Sequence, residues 1–100
     1  MSQLIAEVEI CKSGMTESKP LSTDAGAMLT LTCKNNGSCT LECSTDGGQT
    51  WYERFAVNMG NMNASANLSG EGMFMTVISD VDYIRVTNVT GYDKIIASIS

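Results

Sequence analysis

Cysteine is the residue type with the greatest capacity for chemistry in this sequence of 100 residues, which contains four cysteines and no histidine. Four thiolates can form a tetrahedral zinc site, but zinc ribbons use paired C-x₂-C spacings. Here Cys11, Cys33, Cys39 and Cys43 are separated by intervals of 21, 5 and 3 residues. We therefore expect free thiols buried as small apolar residues, with a Cys33–Cys39 disulfide and a metal site as the two alternatives.

Catalytic chemistry has little support in the remaining residues. Histidine, the commonest general base, is absent, and a nucleophilic cysteine would need an activating base or cation. Asp80 and Asp82 are the closest pair of carboxylates in the second half of the chain, but glycoside hydrolysis needs two carboxylates that face each other across a cleft. Their spacing favours a solvated turn. We predict no catalytic residue, no cofactor and no metal, and hence a protein that is not an enzyme.

The elements that must position these residues are strands. Runs of strand-forming residues recur about every 8 to 12 positions between Gly, Asn, Asp and Ser, a spacing typical of sandwiches and barrels. Helical periodicity is absent. The pattern predicts a single all-β domain, an antiparallel β-sandwich or jelly roll of about eight short strands. The predicted strands are residues 4–11, 27–33, 39–45, 50–57, 61–68, 73–78, 83–88 and 94–98.

Alternation of apolar and polar residues predicts which faces are buried. In the first strand, one face carries Leu4, Ala6, Val8 and Ile10. The short segment between Cys33 and Cys39 is interpreted as a hairpin turn that places the two thiols opposite each other. Met73 and Met75, which flank Phe74, are predicted to fill the core.

Two polar stretches are predicted to lie on the surface. Residues 13–26 contain the only proline and have no clean periodicity, so they form a long connection that could cross between sheets. Residues 58–72 are small and polar, and are interpreted as a mobile loop or an edge strand. Within the second stretch, the apolar side chains of Met59 and Met62 with neighbouring Asn63 form a candidate partner-contact loop.

A hairpin signature joins two of the predicted strands. It is the segment STDGGQTW, residues 44–51, in which Asp-Gly-Gly supplies the positive φ angles that a tight turn requires. Trp51 is expected to fold back and anchor the hairpin by apolar burial. The residues assigned this structural role are Ser44, Asp46, Gly47, Gly48 and Trp51.

These residues resemble two groups of known proteins. The spacing of Ser44, Asp46, Gly48 and Trp51 resembles the Asp box of sialidases and other propellers, where the box is a structural turn without catalytic activity. Propellers need several blades, and this chain is too short for them. The hairpin with the later strand YIRV, residues 83–86, resembles short β-sandwich proteins of tailed bacteriophage virions. That resemblance implies a module that decorates a capsid or forms part of a fibre or neck.

The predicted function is therefore a non-enzymatic virion structural protein that acts through protein–protein contacts. Its expected partners are other virion proteins, such as the major capsid or neck and fibre proteins, and further copies of itself. The net charge of −5 and scattered basic residues argue against binding of nucleic acid or an anionic membrane. No apolar run is long enough for a membrane span and no signal peptide is recognised, so we expect synthesis in the host cytoplasm and a final location in the virion.

A carbohydrate-binding module is the alternative function. In such a module, Trp51, Tyr52 or Tyr92 would stack on sugar rings while Asn and Asp side chains in the loops would bond the hydroxyl groups.

Overall fold

Residues 4–100, which are those described by the computed structural model, form eleven β-strands and no helix. The strands are β1 (Ala6–Lys12), β2 (Leu21–Ser22), β3 (Met28–Lys34), β4 (Ser38–Ser44), β5 (Tyr52–Glu53), β6 (Ala56–Asn58), β7 (Ala64–Ser65), β8 (Asn67–Ser69), β9 (Gly72–Val77), β10 (Tyr83–Thr90) and β11 (Lys94–Ile99).

The strands pair into two antiparallel sheets. The six-stranded sheet has the order β1-β11-β3-β9-β6-β7, and the five-stranded sheet has the order β2-β10-β4-β5, with β8 also paired to β4. The all-β antiparallel fold predicted from the sequence is therefore confirmed.

Alternation along the longer strands builds the core between the sheets. In β3, Leu29 and Leu31 are fully buried, whereas the intervening Thr30 is only partly covered. On the facing sheet, Ile84 and Val86 of β10 are buried in the same way. Inward side chains alternate with outward ones because successive residues of a strand point to opposite faces of the sheet.

Two of the predicted strands are each divided between the sheets. Residues 50–57 contain β5 of the five-stranded sheet and most of β6 of the six-stranded sheet. Residues 61–68 contain β7 of the six-stranded sheet and most of β8, which pairs with β4 of the five-stranded sheet. The prediction of two continuous strands was wrong because each segment changes partners midway. One strand cannot keep its hydrogen-bonding edge in both sheets, so the backbone bends between the two short pieces.

The hairpin predicted between Cys33 and Cys39 was also wrong. Cys33 lies in β3 and Cys39 in β4, which belong to different sheets, so the segment between them crosses from one sheet to the other. Gly37 permits this crossing because a Cβ atom at its position would lie 2.3 Å from the carbonyl oxygen of Thr90. Only glycine fits this close backbone approach.

The first strand departs from strict alternation. β1 forms the edge of the six-stranded sheet, and its register with β11 shifts between Glu9 and Cys11. This bulge allows two consecutive residues, Ile10 and Cys11, to enter the core. Leu4 and Val8, which were predicted to lie on the buried face, are exposed because the facing sheet does not cover this edge.

The long connection of residues 13–26 does cross between the sheets, but it is not wholly superficial. It contains β2, and its buried Ser18 accepts a hydrogen bond from the Val86 amide at 3.0 Å. Buried Thr23 donates to the carbonyl oxygen of Val81 at 2.6 Å. These contacts hold the connection against the middle of β10 and against the residues that precede it.

Candidate functional site

The Asp46 turn, residues 44–51, connects β4 to β5, which pair antiparallel. Ser44, which is fully buried, donates from Oγ to Asp46 Oδ1 at 2.8 Å and accepts the Gly48 amide at 2.8 Å. Asp46 Oδ1 also accepts the amides of Gln49 and Thr50 at 3.1 and 2.9 Å. The side-chain oxygens of Ser44 and Asp46 are therefore satisfied by hydrogen bonds within the turn.

The conformation and charge of the turn follow from these contacts. Gly47 and Gly48 have φ angles of +77° and +93°, which residues with a Cβ rarely adopt. Hydrogen bonds from the hydroxyl and amide of Thr50 and from Ser44 lower the pKa of Asp46 from 3.8 to about 2. These donors favour the charged carboxylate, so the turn holds an anion at all physiological pH values.

Trp51 closes the turn with two polar neighbours. Its Nε1 donates to the Gly48 carbonyl oxygen at 3.0 Å, and the Arg85 guanidinium lies 4.1 Å from the ring centroid. Arg85 in turn donates to Glu42 at 2.7 Å. The structure thus stacks Arg85, from the neighbouring strand β10, on the ring, a partner that the sequence did not identify.

These contacts weaken the carbohydrate-binding alternative in its original form. One side of the Trp51 ring is occupied by Arg85, and Tyr92 is buried with its hydroxyl donating to the Gly70 carbonyl oxygen at 2.7 Å. Burial also raises the pKa of Tyr92 well above its ordinary value. Of the three aromatic side chains proposed to stack on sugars, Tyr52 alone has a widely exposed ring.

The cysteines, which are the residues with the greatest capacity for chemistry, lie in the core. All four cysteines are free and buried. Burial raises the pKa of the Cys11 and Cys43 thiols, and a hydrogen bond with Cys33 together with burial raises that of Cys39. Thiols with raised pKa values are poor nucleophiles and poor metal ligands at neutral pH. The hydrogen bond with Cys39 lowers the pKa of Cys33 instead, but this thiol is fully buried and does not meet solvent.

The carboxylates of Asp80 and Asp82, which are close in sequence, each bond another residue. Asp80 Oδ1 accepts from the Arg54 guanidinium at 2.6 Å, and Asp82 Oδ2 accepts the Gly47 amide at 3.1 Å. Each therefore braces a neighbouring segment. Among residues 4–100, no group of three or more Cys, Asp or Glu side chains is arranged to hold a metal ion.

An apolar surface, here called the methionine face, lies on the outer side of the six-stranded sheet. Register places Met75 beside Val57 of β6 and Val77 beside Met28 of β3. Together with loop residues these side chains line a shallow groove of about 470 Å³. The groove is also lined by Arg54 and Thr76. Met73 is exposed and adjoins the groove, since its carbonyl oxygen accepts the Met59 amide at 2.9 Å. The methionine face comprises Met28, Phe55, Val57, Met59, Met62, Met73, Met75 and Val77.

Two of the predicted partner-contact residues belong to this face. Met59 and Met62 lie in the loop between β6 and β7, and the side chain of Met62 is 67% exposed. Asn63, the third predicted contact residue, lines a separate polar cleft with other asparagines. The loop therefore presents its methionines and its asparagines to two different surfaces.

The prediction that Met73 and Met75 fill the core was wrong. In β9 it is Phe74 that is buried, whereas Met73 is 48% exposed and Met75 is partly exposed. The signal was present in the sequence, because alternation puts either Phe74 or the two methionines inward, never all three. The remaining members of the face are brought together only by pairing of distant strands.

Residues 4–100 contain no helix long and apolar enough to cross a membrane.

Comparison with known proteins gives one likeness of fold. No family model matches the sequence, and no curated protein matches it. Among solved structures, the crystal structure of the SPBc2 prophage-derived protein YomS is similar, with a TM-score of 0.77 over 99% of this chain and 96% of that chain. The two sequences are 9% identical, so the likeness concerns the fold.

Proposed function

We propose that this protein is a non-enzymatic structural component of a bacteriophage particle, such as a capsid decoration, a head fibre or an accessory of the neck or tail. It acts by docking the methionine face onto an apolar surface of another particle protein. The likeness of fold to a prophage-derived protein supports a phage-related role. The absence of histidine and the structural commitment of the thiols and of Asp80 and Asp82 support a role without catalysis.

The methionine face is the observation that carries this proposal. Phe55, Val77 and Met73 are each about half exposed or more, and they adjoin Met59 and Met62 on one side of the sandwich. Contiguous apolar surface of this kind is unfavourable in water and marks interaction sites in soluble proteins. Methionine is flexible and polarisable, so it fits an irregular partner surface better than branched residues do.

The backbone conformation of Met62 also supports docking through the methionine face. Its φ angle is +63°, a left-handed conformation in which a residue with a Cβ costs about 1–2 kcal/mol. Glycine or asparagine would relieve this strain, and either would also remove exposed apolar area. A strained and exposed methionine does not benefit the isolated chain, whereas it benefits a complex in which the side chain is covered.

Further copies of the chain are the second class of partner in this proposal. The edge strand β1 carries the exposed carboxylates of Glu7 and Glu9, which oppose edge-to-edge pairing of two copies. Self-association through the methionine face avoids this repulsion. Light scattering of the purified full chain tests it, and a mass that stays monomeric at high concentration would contradict self-association without affecting docking onto another protein.

Methionine oxidation in assembled particles tests the docking proposal. Particles from the source of the chain are separated by sedimentation, treated with dilute peroxide and analysed by mass spectrometry beside the free chain. Exposed methionines oxidise to sulfoxides, and contact with a partner protects them. We expect Met59, Met62 and Met73 to oxidise in the free chain and to be protected in particles.

Met15 provides a control within the same chain. Its side chain is 38% exposed and lines a groove beside β1 and β2, away from the methionine face. It should oxidise equally in both samples. Absence of the chain from particles, or equal oxidation of Met59, Met62 and Met73 in both states, would overturn the proposed function.

A further inference from the structure

A polar cleft of about 290 Å³ lies where the chain passes from β7 in one sheet to β8 in the other. We call it the asparagine cleft. Its polar lining consists of Asn58, Asn61, Asn63, Asn67, Ser65 and Ser69, and its apolar floor consists of Ala56, Leu68 and Phe74. None of these residues carries a charge, although the chain as a whole has a net charge of −5.

Hydrogen bonds within the protein fix the orientation of three of the carboxamides. Asn58 Oδ1 accepts the Gly60 amide at 2.8 Å, and Asn61 Oδ1 accepts the Asn63 amide at 2.9 Å. Asn67 Oδ1 accepts from the buried hydroxyl of Thr40 at 3.0 Å. Since each side-chain oxygen is engaged, each side-chain NH₂ group keeps its donors for another partner.

The donors remain unused within residues 4–100. In that part of the chain, the NH₂ groups of Asn58, Asn61 and Asn67 donate no hydrogen bond, and the side chain of Asn63 makes none. The backbone of the loop is itself held, because the Asn58 amide donates to the Asn63 carbonyl oxygen at 2.8 Å. The donors therefore sit on a fixed frame, which lowers the entropic cost of binding.

We propose that the asparagine cleft binds a saccharide. A set of neutral N–H donors recognises acceptor oxygens, and the lining offers no charged group to pair with an ionic ligand. Sugar hydroxyl and acetamido oxygens are neutral acceptors, and the serine hydroxyls of the cleft complement them. The volume of the cleft is at the small end for ligand sites. It suits a single sugar ring and is too small for several consecutive peptide residues.

This site differs from the one expected from the sequence and from the docking surface. Carbohydrate binding was expected where exposed aromatic rings stack on the sugar and loop Asn and Asp side chains bond its hydroxyl groups. Here the carboxamides act without an exposed ring, because the only aromatic ring of the cleft, Phe74, is buried beneath them. The methionine face is lined by other residues of the same loop. The proposal therefore stands or falls independently of the proposed docking function.

Nuclear magnetic resonance of the ¹⁵N-labelled full chain tests this inference directly. The probes are glucose, galactose and N-acetylglucosamine, each titrated to its solubility limit. We expect at least one of them to shift the side-chain NH₂ signals of Asn58, Asn61, Asn63 and Asn67, because these groups would donate to its oxygens.

The substitution Asn63→Ala removes the carboxamide of a side chain that makes no hydrogen bond within residues 4–100. Binding should weaken by about tenfold, since alanine offers no donor to the sugar oxygens. The matched control, Asn36→Ala, makes the same change on an exposed turn outside the cleft and should leave binding unchanged. A thermal unfolding curve of each variant checks that it is folded.

Several results would overturn the site. They are an absence of shifts with all three sugars, shifts that map to Tyr52 instead of the cleft, equal binding by the cleft variant, or equal weakening by the control variant. Shifts at the cleft produced by an extended glycine-serine peptide and by none of the sugars would likewise replace the saccharide with a peptide.

Discussion

Two hairpin loops of this protein, both held by internal hydrogen bonds, differ in what they leave facing their surroundings. The Asp46 turn joins β4 to β5, and the loop of residues 58–63 joins β6 to β7. In the first, Asp46 and Ser44 accept amides of their own turn, and Arg85 stacks on Trp51. In the second, the methionines and the amide donors point to surroundings outside the loop.

The difference indicates what each loop is built to do. A turn that satisfies its own donors and acceptors needs no partner, and its sequence is fixed by the demands of the hairpin. A loop that leaves apolar area and carboxamide donors facing solvent offers both to a partner, and burial of the apolar area favours association. The contrast predicts that substitutions in the Asp46 turn act on folding, whereas substitutions in the second loop act on association.

The largest effect is expected from Ser44→Ala. The substitution removes a fully buried hydroxyl and with it two hydrogen bonds, one accepted from the Gly48 amide and one donated to Asp46. We expect the free energy of unfolding to fall by about 1–3 kcal/mol in urea titrations. Ser69→Ala, at an exposed serine, serves as the control and should change it by less than about 0.5 kcal/mol. Equal effects of the two substitutions would contradict the structural role of the turn.

A smaller effect of opposite sign is expected from Met62→Asn. Asparagine tolerates the φ angle of +63° better than methionine does, so the isolated chain should gain about 0.5–1 kcal/mol of stability. Incorporation into particles should decrease at the same time. Met59→Asn, at a position with no positive φ, should decrease incorporation without the gain in stability. If the Met62→Asn protein is more stable and is still incorporated normally, Met62 is strained but does not contribute to docking.

The smallest effect is expected from the charge of Asp46, because its carboxylate is exposed to solvent. Its pKa in the folded protein, about 2, lies below the ordinary value of 3.8. The stability that the carboxylate contributes is therefore present above pH 3.8 and is lost as the pH falls toward 2. Unfolding curves measured across this pH window should show that the free energy of unfolding of the unsubstituted protein declines, and that the decline is smaller in Asp46→Asn. Identical pH profiles for the two proteins would exclude this contribution.

The local features of the molecule were predictable wherever they depend on neighbouring residues. The pattern in β3 predicted that Leu29 and Leu31 are buried, and the sequence Asp-Gly-Gly predicted positive φ angles that Gly47 and Gly48 adopt. Each follows from sterics and from the period of a strand. By contrast, the assignment of Met73 and Met75 to the core was wrong, since residue type was given more weight than alternation.

The candidate surfaces were only partly predictable. Met59 and Met62 were identified because apolar residues in a polar stretch are conspicuous. Their neighbours Val77 and Phe55 join them through pairing of β9 with β6 and with β3, which no local pattern specifies. The asparagine cleft was missed for a similar reason, because Asn67 belongs to the opposite sheet from Asn58.

The amino-acid sequence by itself determined that the chain forms strands, where most of them lie, which residues of β3 and β10 are buried, and how the Asp46 turn bends. These properties depend on interactions between residues close in the chain. Tertiary structure alone decided which sheet each short strand joins, that Cys33 and Cys39 belong to different sheets, and which side chains share a surface. The physical reason is that hydrogen bonds between strands are made by the backbone, which is nearly the same for every residue, so partner choice depends on how the whole core packs.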